Sequence, residues 1–199
     1  MKLLFTILFC LSLSLQGQTT YKLNGIGYIT IPNEMELQDE TYRQKARDYV
    51  KEYQFVLNEN RIVFQQKGLN KSEPIGFQTY ARVIVEIEYG DFGYDVTIPS
   101  QEYEEINSTL KKSAMSSLSQ LQNMKLLQWN GVSNVKIDGV LAIKYSYIRQ
   151  LGSNPSVYVE TYIVLKGKKR YIFTFSYRLN DKKIWQPIYS KILNSLRIE

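Results

Sequence analysis

Glu86 and Glu88 come nearest, in this 199-residue chain, to a pattern that could do chemistry. Residues 80–89 alternate as a strand does. Ala81, Val83, Val85, Ile87 and Tyr89 form an inward row, while Arg82, Ile84, Glu86 and Glu88 form an outward one. Two carboxylates two residues apart on one side of a strand are close enough to share acid and base roles or to hold a cation. A solvated strand face carries the same spacing just as readily, and no third oxygen ligand for a cation accompanies it.

The rest of the chemical inventory is defined by what is missing. The chain has no histidine, and its single cysteine is Cys10. It therefore lacks the usual general base of neutral pH and any Ser-His-Asp or Cys-His nucleophile pair. Beyond Cys10 there is no thiolate to attack, to bridge or to bind zinc. No catalytic, cofactor-binding or metal-ligating residue is assigned on these grounds, no cofactor is expected, and the chain reads as a non-enzyme. Any catalysis would rest on carboxylates, lysine, tyrosine or an oxygen-bound hard cation. Three short motifs fail on context. Gly25 and Gly27 precede a strand, whereas a phosphate-binding turn follows one and opens a helix. Asp91, Phe92 and Gly93 match the kinase metal-binding tripeptide without the loops that accompany it. The sequons at Asn70 and Asn107 carry weight only in a host that glycosylates.

Composition places the chain among ordinary globular proteins, with 44% hydrophobic residues and a net charge of +6. One domain of this size buries roughly 70% of its unfolded-chain surface and needs no metal or disulfide to stand. The charge favours anionic surfaces weakly, and no recognition-helix, zinc-finger or RNP pattern turns it into a nucleic-acid signature. Sixteen tyrosines suit half-buried sheet faces, with the ring packed and the hydroxyl wet. Residues 1–17 read as a signal peptide: Met1 and Lys2, then an apolar run from Leu3 to Leu15, then Gly17 as the small residue before cleavage. The run is short for a bilayer span, so an uncleaved anchor fits less well. Cys10 fits a lipoprotein signal poorly, because Phe9 stands where a small residue is needed. Export to the periplasm or medium is expected, with 18–199 as a single domain and no membrane span left after cleavage.

The elements are clearest in 141–198. Leu141, Ile143, Tyr145 and Tyr147 alternate with Ala142, Lys144 and Ser146. Val157, Val159, Thr161, Ile163 and Leu165 form the next inward row, with Tyr158, Glu160 and Tyr162 on the opposite face. The link around Gly167 predicts a hairpin, and Tyr171, Phe173, Phe175 and Tyr177 then share a face. Short links make these strands antiparallel. After Asn180 and Asp181, the spacing of Trp185, Ile188, Ile192 and Leu196 predicts a helix, with its regular part beginning at Pro187 or kinked there. Upstream, a strand is expected over 25–31 with Ile26, Tyr28 and Thr30 on one side, a short helix over 40–53, and a strand over 61–66. A glycine- and aspartate-rich turn at 90–95 leads into a strand at 96–98. Ser100 should cap a long helix with Tyr103, Ile106, Leu110, Ala114, Leu118 and Leu121 on its stripe. A strand over 124–129 and a turn at Asn130 and Gly131 complete the set. The expectation is α+β: an antiparallel sheet with helices on its faces.

The closing aromatic strand Tyr171, Ile172, Phe173, Thr174, Phe175, Ser176, a polar cap, and the helix end Ile192, Leu193, Asn194, Ser195, Leu196 resemble the PsbP-like α/β/α sandwich, as does the early strand ending in Ile31 and Pro32. The resemblance spans most of 18–199 in element order and implies a binding or accessory module. It carries over no functional residue, and the absent histidines remove any histidine-dependent metal site of relatives. The stretch from Phe64 to Asn70, with Tyr80, Ala81 and Arg82, is similar to small exported Bacteroidetes proteins of unknown function. The expected partner is an unidentified envelope protein or polymer. The alternatives are a carboxylate-dependent hydrolase, with Glu86 and Glu88 as candidates, or a carrier of a small amphiphile.

Overall fold

The computed structural model describes residues 17–23, 25–52, 61–92 and 98–199. Apart from Gly17, the expected signal peptide lies outside the described residues, as do 93–97, where part of the glycine-rich turn and the start of a strand were expected. The elements are β1 (Gln18–Leu23), β2 (Gly27–Pro32), β3 (Met35–Leu37), α1 (Glu40–Glu52), β4 (Ile62–Gln66), β5 (Ala81–Tyr89), α2 (Tyr103–Ser119), β6 (Met124–Ile137), β7 (Val140–Leu151), β8 (Val157–Lys166), β9 (Lys169–Arg178), α3 (Lys182–Ser195) and β10 (Arg197–Ile198).

Seven strands pair antiparallel in the order β3-β4-β5-β9-β8-β7-β6, and β1-β2-β10 form a second, smaller antiparallel sheet. The expected β7-β8-β9 meander is present. Two-residue links lead into β7 from β6, with Asp138 (φ 51°) and Gly139 (φ 78°) both left-handed, and into β9 from β8, with Gly167 at φ 60°.

Both faces of the large sheet are covered, which gives the α/β/α sandwich. On one face Tyr171, Phe173, Phe175 and Tyr177 of β9 and Val83 and Val85 of β5 meet Trp185, Tyr189 and Ile192 of α3, together with Ile29 and Ile31 of β2. On the other, Ile143, Tyr145 and Ile163 meet Val132, Trp129 and the α2 residues Ile106 and Leu110. A two-residue period shows which residues share a face, not which face is covered. Here Tyr162 and Val164 are buried alongside Val159 and Thr161, so β8 is covered on both faces at these positions.

Several local expectations are corrected. The inward residues of β2 are Ile29 and Ile31, while Tyr28 faces out and Ile26 lies in the preceding turn. The strand begins at Gly27, so alternation sets 27, 29 and 31 on the buried side, and at Gly27 itself (φ +133°) a Cβ would collide with the backbone carbonyl of Arg197, so β10 can lie against β2 only over a glycine. Tyr89 at the end of β5 is 69% exposed because the strand outruns the packed part of the sheet. Ser100 is not the cap of α2. A turn from Pro99 O to Glu102 N (3.0 Å) consumes residues 100 and 101, and Glu102 stands at the helix start. At α1, for which no cap was expected, Asp39 serves, its carboxylate accepting from the Tyr42 amide at 2.8 Å. Asn130 and Gly131 are not a turn but a register shift inside β6, with Gly131 at φ +86°. That bulge lets both Trp129 and Val132 point toward α2. Finally, α3 begins at Lys182 and runs through Pro187, whose ring sits on the exposed side.

Candidate functional site

A cleft of about 280 Å³ opens between α3 and the face of β8, beside the part of the sheet that α3 and β2 cover. Its floor comes from strand alternation. Tyr158, Glu160 and Tyr162 of β8 point to this side, and the register sets Lys144 of β7 opposite Tyr162, with Phe175 and Tyr177 of β9 opposite Glu160 and Tyr158. Lys182, Gln186, Ser190 and Leu193 of α3 form the opposing wall. The helix keeps its position through its first turns. Trp185 Nε1 donates to Thr79 Oγ1 at 2.8 Å, Thr79 Oγ1 donates to Asp181 Oδ2 at 2.5 Å, and the Tyr189 hydroxyl reaches the Ser176 carbonyl at 2.7 Å.

Glu160 is the centre of the floor. Lys144 Nζ lies 2.8 Å from Oε2, the Tyr158 hydroxyl donates to Oε2 at 2.8 Å, and the Tyr162 hydroxyl donates to Oε1 at 2.5 Å. The Lys144 ammonium also stands 5.7 Å from the Tyr162 ring centroid. Burial pushes the Glu160 carboxyl up, but these three donors outweigh it and leave the group below its ordinary value. The tyrosines move the other way. Burial first, and then the bonded Glu160 carboxylate, hold the Tyr158 and Tyr162 phenols well above their ordinary value. Near neutral pH the floor therefore presents one carboxylate, paired with Lys144, and two hydroxyl donors, and neither the carboxyl nor the phenols are moved toward neutral pH. Phe175, Tyr177 and Tyr189 line the apolar side, with centroid separations of 5.2 Å and 5.6 Å to Tyr189.

Glu86 and Glu88 lie on the opposite face of the sheet. Glu88 is ion-paired with Arg170, its cross-strand neighbour, whose guanidinium also covers the Phe92 ring at 4.9 Å. Glu86 faces Arg61. Burial, together with Glu88, raises its carboxyl despite that arginine. One of the two carboxylates is thus committed to an arginine. Among the described residues, no group of three or more His, Cys, Asp and Glu could hold a metal. Both sequon asparagines are committed as well. Asn107 accepts from Trp129 Nε1 at 2.8 Å, and Asn70 donates to the Leu37 carbonyl at 2.8 Å.

The sequence reading missed the cleft because Tyr158, Glu160 and Tyr162 looked like an outward row. The available signal was a single charged residue between two tyrosines on that row, with Lys144 on the neighbouring strand opposite Tyr162.

No family model matches the chain, and none of the curated proteins does. Solved structures do. Cyanobacterial PsbP (CyanoP) from Synechocystis sp. PCC 6803 is 12% identical, with a TM-score of 0.53, over 96% of this chain and 97% of that one. A Bacteroides thetaiotaomicron VPI-5482 protein is 10% identical (TM-score 0.48) over 93% of this chain and 49% of that one. The Saccharomyces cerevisiae Ran-binding protein Mog1p is 8% identical (TM-score 0.47) over 92% and 96%. The fold is PsbP-like, as the closing strand and helix implied. No helix among the described residues is long and apolar enough to cross a membrane.

Proposed function

We propose that this protein is a non-enzymatic binding or accessory domain, exported to the periplasm or medium, that engages an envelope protein or polymer through the cleft between α3 and β8. The observation that carries this reading is the saturated Glu160 floor. Catalytic acids and bases need values close to the working pH, whereas Glu160, Tyr158 and Tyr162 are all held away from it. A fixed ion pair beside aromatic faces recognises shape and charge instead, and suits a group with one polar end and one flat apolar side. Export rests on the character of residues 1–17, and the accessory role on the PsbP resemblance.

The test is a photo-crosslinking side chain in place of Gln186, on the helix wall, in intact cells. An adduct that disappears in the Lys144→Met/Glu160→Gln double variant, with unchanged circular dichroism, supports the cleft as the binding surface. Adducts indifferent to that double variant contradict it.

One observation favours the hydrolase alternative, namely the raised carboxyl of Glu86. Its partner Glu88 is occupied by Arg170, which leaves the pair one free carboxylate short. A measured hydrolase activity that falls in the Glu86→Gln/Glu88→Gln variant would restore that reading. The amphiphile-carrier reading calls for a mostly apolar pocket, whereas the floor of this cleft carries the Lys144–Glu160 ion pair.

A further inference from the structure

On the face of the sheet away from the cleft, two guanidinium groups approach one phenol. Arg149, near the end of β7, reaches the Tyr80 hydroxyl with one terminal nitrogen (3.4 Å) and the Met124 sulfur with the other (3.5 Å). Arg82, the second residue of β5, lies over the Tyr80 ring, its guanidinium carbon 5.5 Å from the centroid. Its Nε is buried and has no hydrogen-bond partner. The Tyr80 hydroxyl is 3.4 Å from the Ser176 hydroxyl, and Ser176 is the cross-strand neighbour of Arg82.

The acceptors in this cluster are poor matches for its donors. A guanidinium forms its strongest bonds with carboxylate or phosphate oxygens, two at a time. Here the available partners are a thioether, a long contact to a phenol and a ring face. Three other arginines find carboxylates, Arg170 with Glu88, Arg47 with Glu40 and Arg197 with Asp138, and Arg43 and Arg178 donate to backbone carbonyls. Among the described residues, no carboxylate lies within 4.0 Å of Arg82 or Arg149. Both are only half-exposed, so their positive charges are partly desolvated without a counter-charge, which costs free energy until an anion supplies one.

We propose that Arg82 and Arg149 form an oxyanion-binding site, with the Tyr80 and Ser176 hydroxyls as its neutral donors, for a carboxylate or phosphate group. The electrostatics of Tyr80 agree. Burial pushes its phenol up, yet the field of Arg82 and Arg149 and the bonds to Ser176 and Arg149 outweigh it and hold the group below its ordinary value. The site lies across the sheet from the Glu160 cleft, and its success or failure leaves the cleft reading untouched.

The test is titration of the full chain with inorganic phosphate and, separately, with acetate, each against sodium chloride at equal ionic strength. Arginine side-chain Nε–H resonances and the absorbance of the Tyr80 phenolate are followed. The expected result is a saturable shift at Arg82 and Arg149 with at least one anion, together with a rise in the Tyr80 value as the anion neutralises the field. A response to phosphate alone marks a phosphate site, to acetate alone a carboxylate site, and to both a general oxyanion site. Arg149→Met should weaken binding by about tenfold or more, and Arg149→Lys, which keeps the charge but not the fork, should weaken it less. Because Arg149→Met could unfold the chain, Tyr80→Phe provides a second variant and should also weaken binding. Shifts no larger than those in chloride, or variants that bind as the wild type does, would overturn the site.

Discussion

Two glutamates show how position, not residue type, sets charge in this protein. Glu160 and Glu86 both sit half-buried on central strands, yet their carboxyls move in opposite directions from 4.5. Glu160 gathers an ammonium and two hydroxyl donors, whereas Glu86 has burial and a neighbouring carboxylate against a single arginine. The linkage follows from the signs. The lowered carboxyl of Glu160 contributes stability that is complete above 4.5 and is lost as pH falls from there through the lowered value. The raised carboxyl of Glu86 does the reverse: its ionisation opposes folding as pH rises from 4.5 through the raised value. Urea unfolding across pH should show Glu160→Gln losing about 1 kcal/mol at neutral pH, with the gap to wild type closing in acid. Glu86→Gln should flatten the slope above 4.5. Gly27 is a second residue with a single cause. Gly27→Ala places a Cβ against the Arg197 carbonyl at a left-handed φ, and should cost about 2 kcal/mol or more and expose to hydrogen exchange the Glu199 amide, which donates to the Ile26 carbonyl.

At the scale of elements, sequence periodicity was readable wherever an apolar row met its own partner. The β7-β8-β9 meander and α3 follow from Leu141–Leu196 spacing alone, as does α1 from 40–53. What was not readable was decided by partners far along the chain. In β1, Thr19, Thr20 and Lys22 carry no apolar alternation, and β10 is two residues long. Both exist because β2 offers them a ladder. The bulge at Gly131 looked like a turn because an Asn-Gly pair serves both uses, and only the pairing of Val132 with Tyr145 distinguishes them. Pro187 looked like a helix boundary, but Trp185 and Tyr189 hold the helix on both sides of it. Pro187→Ala should therefore stabilise the chain by about 1–3 kcal/mol, since an interior proline forfeits one helix bond. Trp185→Ala should cost about 3–5 kcal/mol, and hydrogen exchange should show the loss concentrated in α3 and residues 77–81. The cleft was hidden for a related reason: alternation separates Tyr158, Glu160 and Tyr162 from Val159 and Thr161 without saying that α3 stands over them.

The whole molecule is a large sheet with different cover on its two faces. On one, α3 and the small sheet fill most of the surface and leave a walled opening over β8. On the other, α2 packs over β6 and β7, and the arginine cluster lies toward Tyr80. The small sheet joins β1 near the beginning of the described chain to β10 at its end, so the final residues belong to the core: Leu196 is fully buried and Ile198 nearly so. In such a layout helices and sheets supply stability, while the paired charges of Lys144 and Glu160 lie on the floor of the opening.

The most direct test of fixed charge in the cleft is a carbon-13 NMR titration of the Glu160 carboxyl together with the Tyr158 and Tyr162 ring carbons. The expected result is protonation of Glu160 only below 4.5, with both phenols still protonated at pH 10. A Glu160 carboxyl that takes up its proton near neutral pH, or a cleft phenol that ionises below 10, would make the site a proton-transfer centre and contradict a pure recognition role.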